Sequence, residues 1–121
     1  MAAPNLVNVT SIFGKTVGAD LTTSIAAILS NAGSSNKLLK INSIYVTNID
    51  GTNSADTTVQ FYNGSSAFEL AHTIAVPADS TLIVLGKDAP IYLEEGHSIR
   101  ASASAASDLQ ILISYEELDD A

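Results

Sequence analysis

The chain has 121 residues, of which 46% are hydrophobic and 15% are charged, and its formal net charge is −8. This length fits one domain with its own core, and the hydrophobic share excludes a disordered chain. The absence of cysteine excludes disulfides and thiolate chemistry. With no Trp and only 6% aromatic residues, the core must be built from Ile, Val, Leu and Ala.

The negative charge is concentrated in the second half of the chain. Residues 1–60 carry three lysines and three aspartates, which cancel, whereas residues 61–121 carry Lys87 and Arg100 against ten acids. Because such a field repels phosphate backbones, we expect no direct contact with nucleic acid. Residues 1–5 lack the basic start of a signal peptide, and no run approaches the roughly 18 apolar residues of a membrane span. We therefore expect no membrane contact, and a protein made and used in a cytoplasm or in a particle assembled there.

The first thirty residues give the weakest pattern. Residues 1–20 are predicted to form an N-terminal arm, a candidate for lying on a neighbour. Residues 20–30 are ambiguous, because four apolar residues have helical spacing: Leu21, Ile25, Ile28 and Leu29. Thr22, Thr23 and Ser24 are weak helix formers, and the flanking chain is all strand, so a strand is favoured and a helix is the alternative.

The middle of the chain reads as short strands. Leu39 and Ile41 lie in one phase of alternation and Ile44 and Val46 in the other, which predicts a β-bulge at residues 42–43. The next two strands have one apolar face each, Val59 and Phe61 in the first and Phe68, Leu70, His72, Ile74 and Val76 in the second. The apolar run 82–85 is typical of a strand buried on both faces.

The last third predicts a hairpin and a long final strand. Residues 91–103 read as a strand, a turn at Glu95-Gly96, and a second strand. In the final strand one face is apolar (Leu109, Ile111, Ile113 and Tyr115), and Leu112 interrupts the polar face, so we expect this strand to be covered on both sides. Residues 116–121 are predicted to be an acidic, solvated and frayed tail, with docking on a basic neighbour as the alternative.

Turn signals every few residues, with runs of about 5–10 residues between them, are typical of an all-β sandwich or barrel. We therefore predict a single antiparallel β-sandwich domain over residues 1–121. No repeat, linker or low-complexity segment is visible in the sequence.

Each candidate for chemistry has a structural alternative that we favour. His72 is expected in the core or an interface, and His97 is expected to be exposed after its turn; two histidines without cysteine or a close carboxylate make zinc improbable. Glu94 and Glu95 are neighbours on a strand, which point to opposite faces, so we read them as a polar hairpin end rather than an acid–base pair.

The loop 50–56 has oxygen ligands at alternate positions, but it lacks the order of a helical calcium loop, and we read it as a strand connection. No serine lies in a Gly-x-Ser-x-Gly elbow. The tyrosines Tyr45, Tyr62, Tyr92 and Tyr115 mostly lie within strands, which disfavours an exposed aromatic platform for sugars. We predict no catalytic, cofactor or metal site, and we expect that the protein is not an enzyme.

Five segments taken together resemble small virion structural proteins of tailed phages: residues 40–48, 55–59, 74–78, 92–100 and 113–118. The similarity covers about residues 25–118. One departure is at Gly96-His97, where the family more commonly has Gly-Asp, so a turn-capping Asp is missing.

The resemblance implies a jelly-roll-like domain that decorates or cements a capsid by binding the major capsid protein, often as a homotrimer. It implies location on the virion's capsid surface, with assembly in the host cytoplasm, and it offers no catalytic residues. The alternatives are a tail, baseplate or fibre module that binds a receptor or glycan, and a small jelly-roll enzyme that uses His72 or His97. The Ala/Ser run at residues 101–106 is predicted to be either a flat subunit contact or an ordinary edge strand with a loop.

Overall fold

A computed structural model of the chain describes Val7 and residues 9–120. These residues form nine strands joined by turns and short loops. In chain order the strands are β1 (Val9–Asp20), β2 (Ala26–Ser30), β3 (Lys37–Asn48), β4 (Ala55–Tyr62), β5 (Ala67–Val76), β6 (Thr81–Leu85), β7 (Ile91–Leu93), β8 (Ser98–Ala103) and β9 (Leu109–Asp120).

The strands form two antiparallel sheets that pack face to face. The five-stranded sheet has the order β1-β9-β3-β6, and β7 pairs with the other half of β3. Because β6 and β7 follow each other along β3, they act as one edge strand interrupted by the loop 86–90. The four-stranded sheet has the order β2-β8-β4-β5. This wiring is that of a jelly roll, so the prediction of an all-β, jelly-roll-like sandwich is confirmed.

The core lies between the sheets and is aliphatic, as the composition requires. Alternate residues of the two central strands of the five-stranded sheet point into it: Leu39, Ile41, Ile44, Val46, Leu109, Ile111 and Ile113. They meet inward residues of the other sheet: Val59, Val76, Ile99, Ala101 and Ala103. The predicted apolar face of the last strand is therefore confirmed over Leu109–Ile113.

The predicted bulge in β3 is confirmed. The pairing of β3 with β9 shifts register between Ile41 and Ser43, so Asn42 is the extra residue. The shift keeps both Ile41 and Ile44 fully buried, although an uninterrupted strand would turn them to opposite faces.

Two buried asparagines fasten the loops at the ends of β3. Asn48 donates from Nδ2 to the carbonyl oxygens of Asn53 and Val76, both at 2.9 Å. At the other end, Asn31 donates from Nδ2 to the carbonyl oxygens of Lys37 at 2.8 Å and Leu93 at 2.9 Å. Buried amides are tolerated because their polar atoms are hydrogen-bonded, so these side chains set where each loop lies.

Residues 9–20 and residues 116–120 both belong to the sandwich. The predicted arm is wrong for Val9–Asp20, which pair with β9 as an edge strand of the five-stranded sheet. The predicted frayed tail is wrong for residues 116–120, because β9 is held by ladders to β1 on one side and β3 on the other. Residues 1–6, 8 and 121 of these two predictions lie outside the described residues. Over residues 20–30 the strand is confirmed for Ala26–Ser30, and the helix alternative is wrong.

The predicted apolar face of β5 is wrong, because the strand is bulged. Its pairing with β4 shifts register twice, and Thr73 has a φ of 46°. As a result Ala71 and Val76 are buried, while His72 and Ile74 are exposed. Bulges of this kind are common on edge strands, where they discourage pairing with another chain.

Two further strand predictions are also wrong. The run 82–85 belongs to β6, which is an edge strand and leaves Ile83 exposed rather than buried on both faces. The Ala/Ser run begins in β8, which lies between β2 and β4 and is not an edge strand. Because Ala101 and Ala103 face the core, they serve close packing of the two sheets and not a flat contact between subunits.

Candidate interaction surface

A row of apolar and small residues crosses the outward face of the five-stranded sheet. Gly18 of β1 lies opposite Leu112 of β9, Leu112 lies opposite Tyr45 of β3, and Tyr45 lies opposite Ile83 of β6. We call these four residues the Leu112 row. Leu112 is 47% exposed and Ile83 is 62% exposed, so the prediction that β9 is covered on both sides is wrong for the chain by itself. Contiguous apolar surface of this kind marks interaction sites.

The Leu112 row depends on a glycine in the edge strand. A Cβ atom at Gly18 would lie 3.3 Å from Cδ1 of Leu112, which is tighter than ordinary contact. The glycine therefore lets the leucine side chain lie across β1. A shallow cleft of about 460 Å³ opens here, between Gly18, Asp20, Thr47 and Leu112.

Polar side chains border the Leu112 row on one side. Gln110 donates from Nε2 to Oδ1 of Asp20 at 2.9 Å, and the hydroxyls of Thr47 and Thr81 are 3.0 Å apart. These four residues also lie opposite one another across the strands. Each is two positions along its strand from a residue of the Leu112 row. An apolar centre with a hydrogen-bonding rim is the usual anatomy of a protein interface.

A second cleft of about 330 Å³ borders the Leu112 row on its other side. Its rim carries the ammonium groups of Lys40 and Lys87, two of the five cationic side chains in the chain. Asn42 donates from Nδ2 to Oε1 of Glu116 at 3.1 Å and so holds that carboxylate in place. The two lysines therefore give this part of the outward face a positive character that suits a partner's carboxylates or carbonyl oxygens.

The outward face of the four-stranded sheet has a different chemistry. The corresponding cross-strand row there is Ala27, Arg100, Gln60 and Glu69. The guanidinium of Arg100 lies 3.5 Å from the centre of the Tyr62 ring, a cation–π contact within the sheet. This row is polar, and the Tyr62 ring beside it already has a partner, so the face is suited to water.

The acidic end of β9 is partly neutralised within the chain. Lys15 and Lys37 place their Nζ atoms 3.1 Å and 3.3 Å from the carboxylate oxygens of Glu117. Burial opposes ionisation of Glu117, but hydrogen bonds from the two lysines outweigh it and lower its pKa below the ordinary value. The hydrogen bond to Glu117 likewise raises the pKa of Lys15. Glu117 therefore fastens β1 and β3 to β9 and is not free to dock on a basic neighbour.

The Glu94–His97 turn is held against the β2–β3 loop by hydrogen bonds. Glu95 is only 7% exposed, and its Oε2 accepts a hydrogen bond from the backbone N–H of Asn36 at 2.8 Å. Gly96, at a φ of 85°, donates its N–H to the carbonyl oxygen of Asn31 at 2.7 Å. Glu95 thus lies in a polar turn at the end of the hairpin, and it is buried there because the turn packs on the β2–β3 loop.

His97 caps its own turn. Its Nδ1 accepts a hydrogen bond from the N–H of Glu94 at 3.3 Å, across the turn. Its ring meets the Phe61 ring edge to face, with 5.3 Å between the centroids. The prediction that His97 is exposed is wrong, since these contacts leave it half-buried.

The remaining candidates stay apart from one another. His72 is exposed and hydrogen-bonds from Nδ1 to Oε1 of Glu69 at 2.8 Å, so the predicted position in the core is wrong, and the alternative position in an interface stays a prediction. A hydrogen bond from the Thr52 N–H, supported by Asn53, lowers the pKa of Asp50, which serves the turn of its own loop.

Within Val7 and residues 9–120, the structure brings together no group of three or more side chains that could hold a metal ion. The same residues include no helix of the length and apolar character that a bilayer crossing needs.

Comparisons with known proteins point to the fold. No family model matches this sequence, and no curated sequence is significantly similar to it. Among solved structures, the chain is similar to a subunit of the disulfide-linked pili of Bacillus endospore appendages, with 16% identity and a TM-score of 0.54 over 92% of this chain and 88% of that one. It is also similar to a chain from the acid-stable capsid of Helicobacter pylori bacteriophage KHP30, with 6% identity and a TM-score of 0.53 over 91% and 89%. Identities this low show a shared fold and no more.

Proposed function

We propose that this chain is a structural protein of a phage virion. It decorates the capsid surface and cements the shell by binding at junctions between major capsid proteins, as a homotrimer assembled in the host cytoplasm. The observation that carries the proposal is the exposed Leu112 row with its polar and basic borders. The resemblance over residues 25–118 and the fold shared with a capsid chain of phage KHP30 support it.

The proposed role needs binding and no chemistry. The sandwich is rigid because every strand is held by the core, by the hydrogen bonds of Asn31 and Asn48, or by long β-ladders. Placing the Leu112 row on a shell junction removes apolar surface from water on both partners. If one copy covers two shell subunits, separating those subunits must expose that surface again, and this stabilises the shell.

A fibre or tail component is the second candidate. The observation in its favour is the similarity to a pilus subunit, which is as high as that to the capsid chain. The chain cannot use the disulfide linkage of those pili, because it has no cysteine. Glycan binding is less favoured, since the exposed aromatic side chains Phe68 and Tyr92 line an apolar cleft without the polar groups that sugars require.

The test is co-sedimentation of the purified chain with empty heads and, separately, with tails from particles that lack it. We expect saturable binding to heads and a higher temperature of shell disruption once the sites are filled. Binding to tails alone would support the second candidate and contradict the first. Binding to neither would contradict both.

A further inference from the structure

Two patches of exposed apolar surface lie on opposite lateral edges of the sandwich, away from the Leu112 row. On the β1 edge the patch is the single ring of Phe13, which is 48% exposed; its neighbour Ile12 is 59% exposed but points to the opposite face of the strand. On the edge formed by β5 and β7 the patch is a cluster, in which Phe68 and Tyr92 are 55% and 42% exposed.

The patch on the β5–β7 edge is concave. It is a cleft of about 220 Å³ that is open to solvent and is lined by Phe61, Phe68, Leu70, Ile91 and Tyr92. A cavity of roughly 150 Å³ with a similar lining holds a benzene ring. The cleft therefore has room for one aromatic side chain from outside, and the β1 edge presents such a side chain in Phe13.

The two patches lie at nearly the same height along the strands. In the five-stranded sheet, Gly14 of β1 is in line with Glu116, Lys40 and Tyr92 of the successive strands. Phe13 is the neighbour of Gly14, so it is one residue, about 3.4 Å, from the level of Tyr92. Matching heights on opposite edges are what a rotation needs in order to close a ring without a screw component.

The edges carry few charged side chains. β1 and β2 carry Lys15 and Asp20, the strands β5, β6 and β7 carry Glu69, and the loop 86–90 between β6 and β7 adds Lys87 and Asp88, whose charges cancel. Copies with a net charge of −8 repel one another, and approach along these edges brings few like charges together. The bulges of β5 and the interruption between β6 and β7 disfavour a backbone ladder there, which leaves side-chain packing as the means of contact.

We propose that a second copy of this chain occupies the β5–β7 cleft, with Phe13 of one copy packed between Phe68 and Tyr92 of the next. The contact joins two different surfaces, the Phe13 edge of one copy and the cleft of the next. Every copy therefore has one of each, and the assembly closes into a ring. The homotrimer of the proposed function would be such a ring. The number of copies in the ring rests on the proposed function, whereas the contact between copies does not.

Light scattering on two variants and their mixture tests the contact. Phe13→Asp removes the inserted ring and Phe68→Asp spoils the cleft, so each variant alone is expected at the chain mass of 12.5 kDa, whereas the wild type is a multiple of it. Their mixture retains one intact Phe13 edge and one intact cleft, so it should form a 1:1 complex of twice that mass. Ile49→Asp is the control, because Ile49 is as exposed as Phe13 but lies on neither edge, and it should assemble as the wild type does.

Cross-linking gives a second readout on folded protein, which circular dichroism verifies for each variant. The chain has no cysteine, so Phe13→Cys and Phe68→Cys each introduce a unique thiol. Oxidation of the mixture should give a covalent dimer, and Phe13→Cys alone should give none. A monomeric wild type at millimolar concentration, a mixture that stays monomeric, or self-linking of Phe13→Cys would overturn the contact. Intact rings that fail to bind heads would overturn the proposed function and leave the contact standing.

Discussion

The outward faces of the two sheets differ although both sheets build the same core. On the five-stranded sheet the Leu112 row exposes a leucine and an isoleucine beside a glycine. On the four-stranded sheet the row at the centre reads Ala27, Arg100, Gln60 and Glu69, all but one of them polar. The inward residues of a strand determine the fold, and from this difference between the outward residues we infer where a partner would bind.

The energetic consequence of the difference is large. Full burial of a leucine or isoleucine side chain contributes roughly 1.5–3 kcal/mol, and because Leu112 is 47% and Ile83 is 62% exposed, about half of that remains to be gained at each. Arg100 and Glu69 would instead lose water on burial and would need new partners. We therefore expect the five-stranded sheet to face the shell and the four-stranded sheet to face solvent.

The largest expected effect comes from a charge placed in the Leu112 row. Leu112→Asp removes buried apolar area and leaves a carboxylate in the contact, so we expect shell affinity to fall by about 100-fold, that is about 2.7 kcal/mol. Co-sedimentation with empty heads over a concentration series measures the change.

The matched control for this variant is Ser102→Asp, which adds the same charge to the outward face of β8, a central strand like β9. It should bind heads as the wild type does. An equal loss of head affinity in the two variants would show that the two faces are equivalent. A loss of head affinity in Ser102→Asp alone would show that the four-stranded sheet faces the shell.

A smaller effect is expected at the glycine that supports the row. In Gly18→Ala the new methyl group would lie 3.3 Å from Leu112, so the leucine side chain must shift by a few tenths of an ångström. We expect weaker shell binding, by about threefold and less than for Leu112→Asp, with the fold intact. Gly14→Ala is the control, because nothing lies within 4 Å of its new Cβ atom on the same strand. Unchanged binding by Gly18→Ala would show that the position of Leu112 does not matter.

The pH dependence of stability tests what holds the apolar face together. The pKa of Glu117 is lower in the folded chain than its ordinary value of 4.5, so its contribution is present above that value and is lost as the pH falls below it. Glu117→Gln should lower the melting temperature by a few degrees at pH 7, and this deficit should shrink as the pH falls below 4.5. In Glu116→Gln the Oε1 atom can still accept from Asn42, so this matched variant should melt as the wild type does at pH 7. A Glu117→Gln deficit that stays constant as the pH falls would contradict a role for the charge.

The smallest effect is expected at the end of the sandwich, away from both faces. In His97→Asp a carboxylate can still accept from the Glu94 N–H, but the ring contact with Phe61 is lost, for about 1 kcal/mol of stability. Shell binding should not change. His72→Ala is the control for stability, because His72 is exposed and bonds only to Glu69. A binding defect in His97→Asp would extend the contact surface to this end.

Local alternation predicted the parts of the fold that depend on one strand at a time. The phase change between Ile41 and Ile44 was enough to place the bulge of β3, and Leu112 stood out as an apolar residue on a polar face. The alternation of β5 looked regular from Phe68 to Val76, because the bulges that expose His72 arise from pairing with β4.

The rest of the site depends on long-range pairing that local patterns do not contain. Asn31 and Asn48 look like ordinary turn residues, and only the docking of distant strands buries them. The apolar run 82–85 predicts a strand buried on both faces for the same reason, since its composition does not reveal that β6 has a neighbour on one side only. The candidate surface could thus be predicted as the single residue Leu112, but not as a row.

Cryo-electron microscopy of heads saturated with the wild-type chain tests the central claim most directly, because it shows both the location and the face that binds. The account predicts density for this chain at junctions between major capsid proteins, with Leu112 and Ile83 against the shell and Arg100 toward solvent. Density with the four-stranded sheet against the shell, or an absence of density on the head, would contradict it.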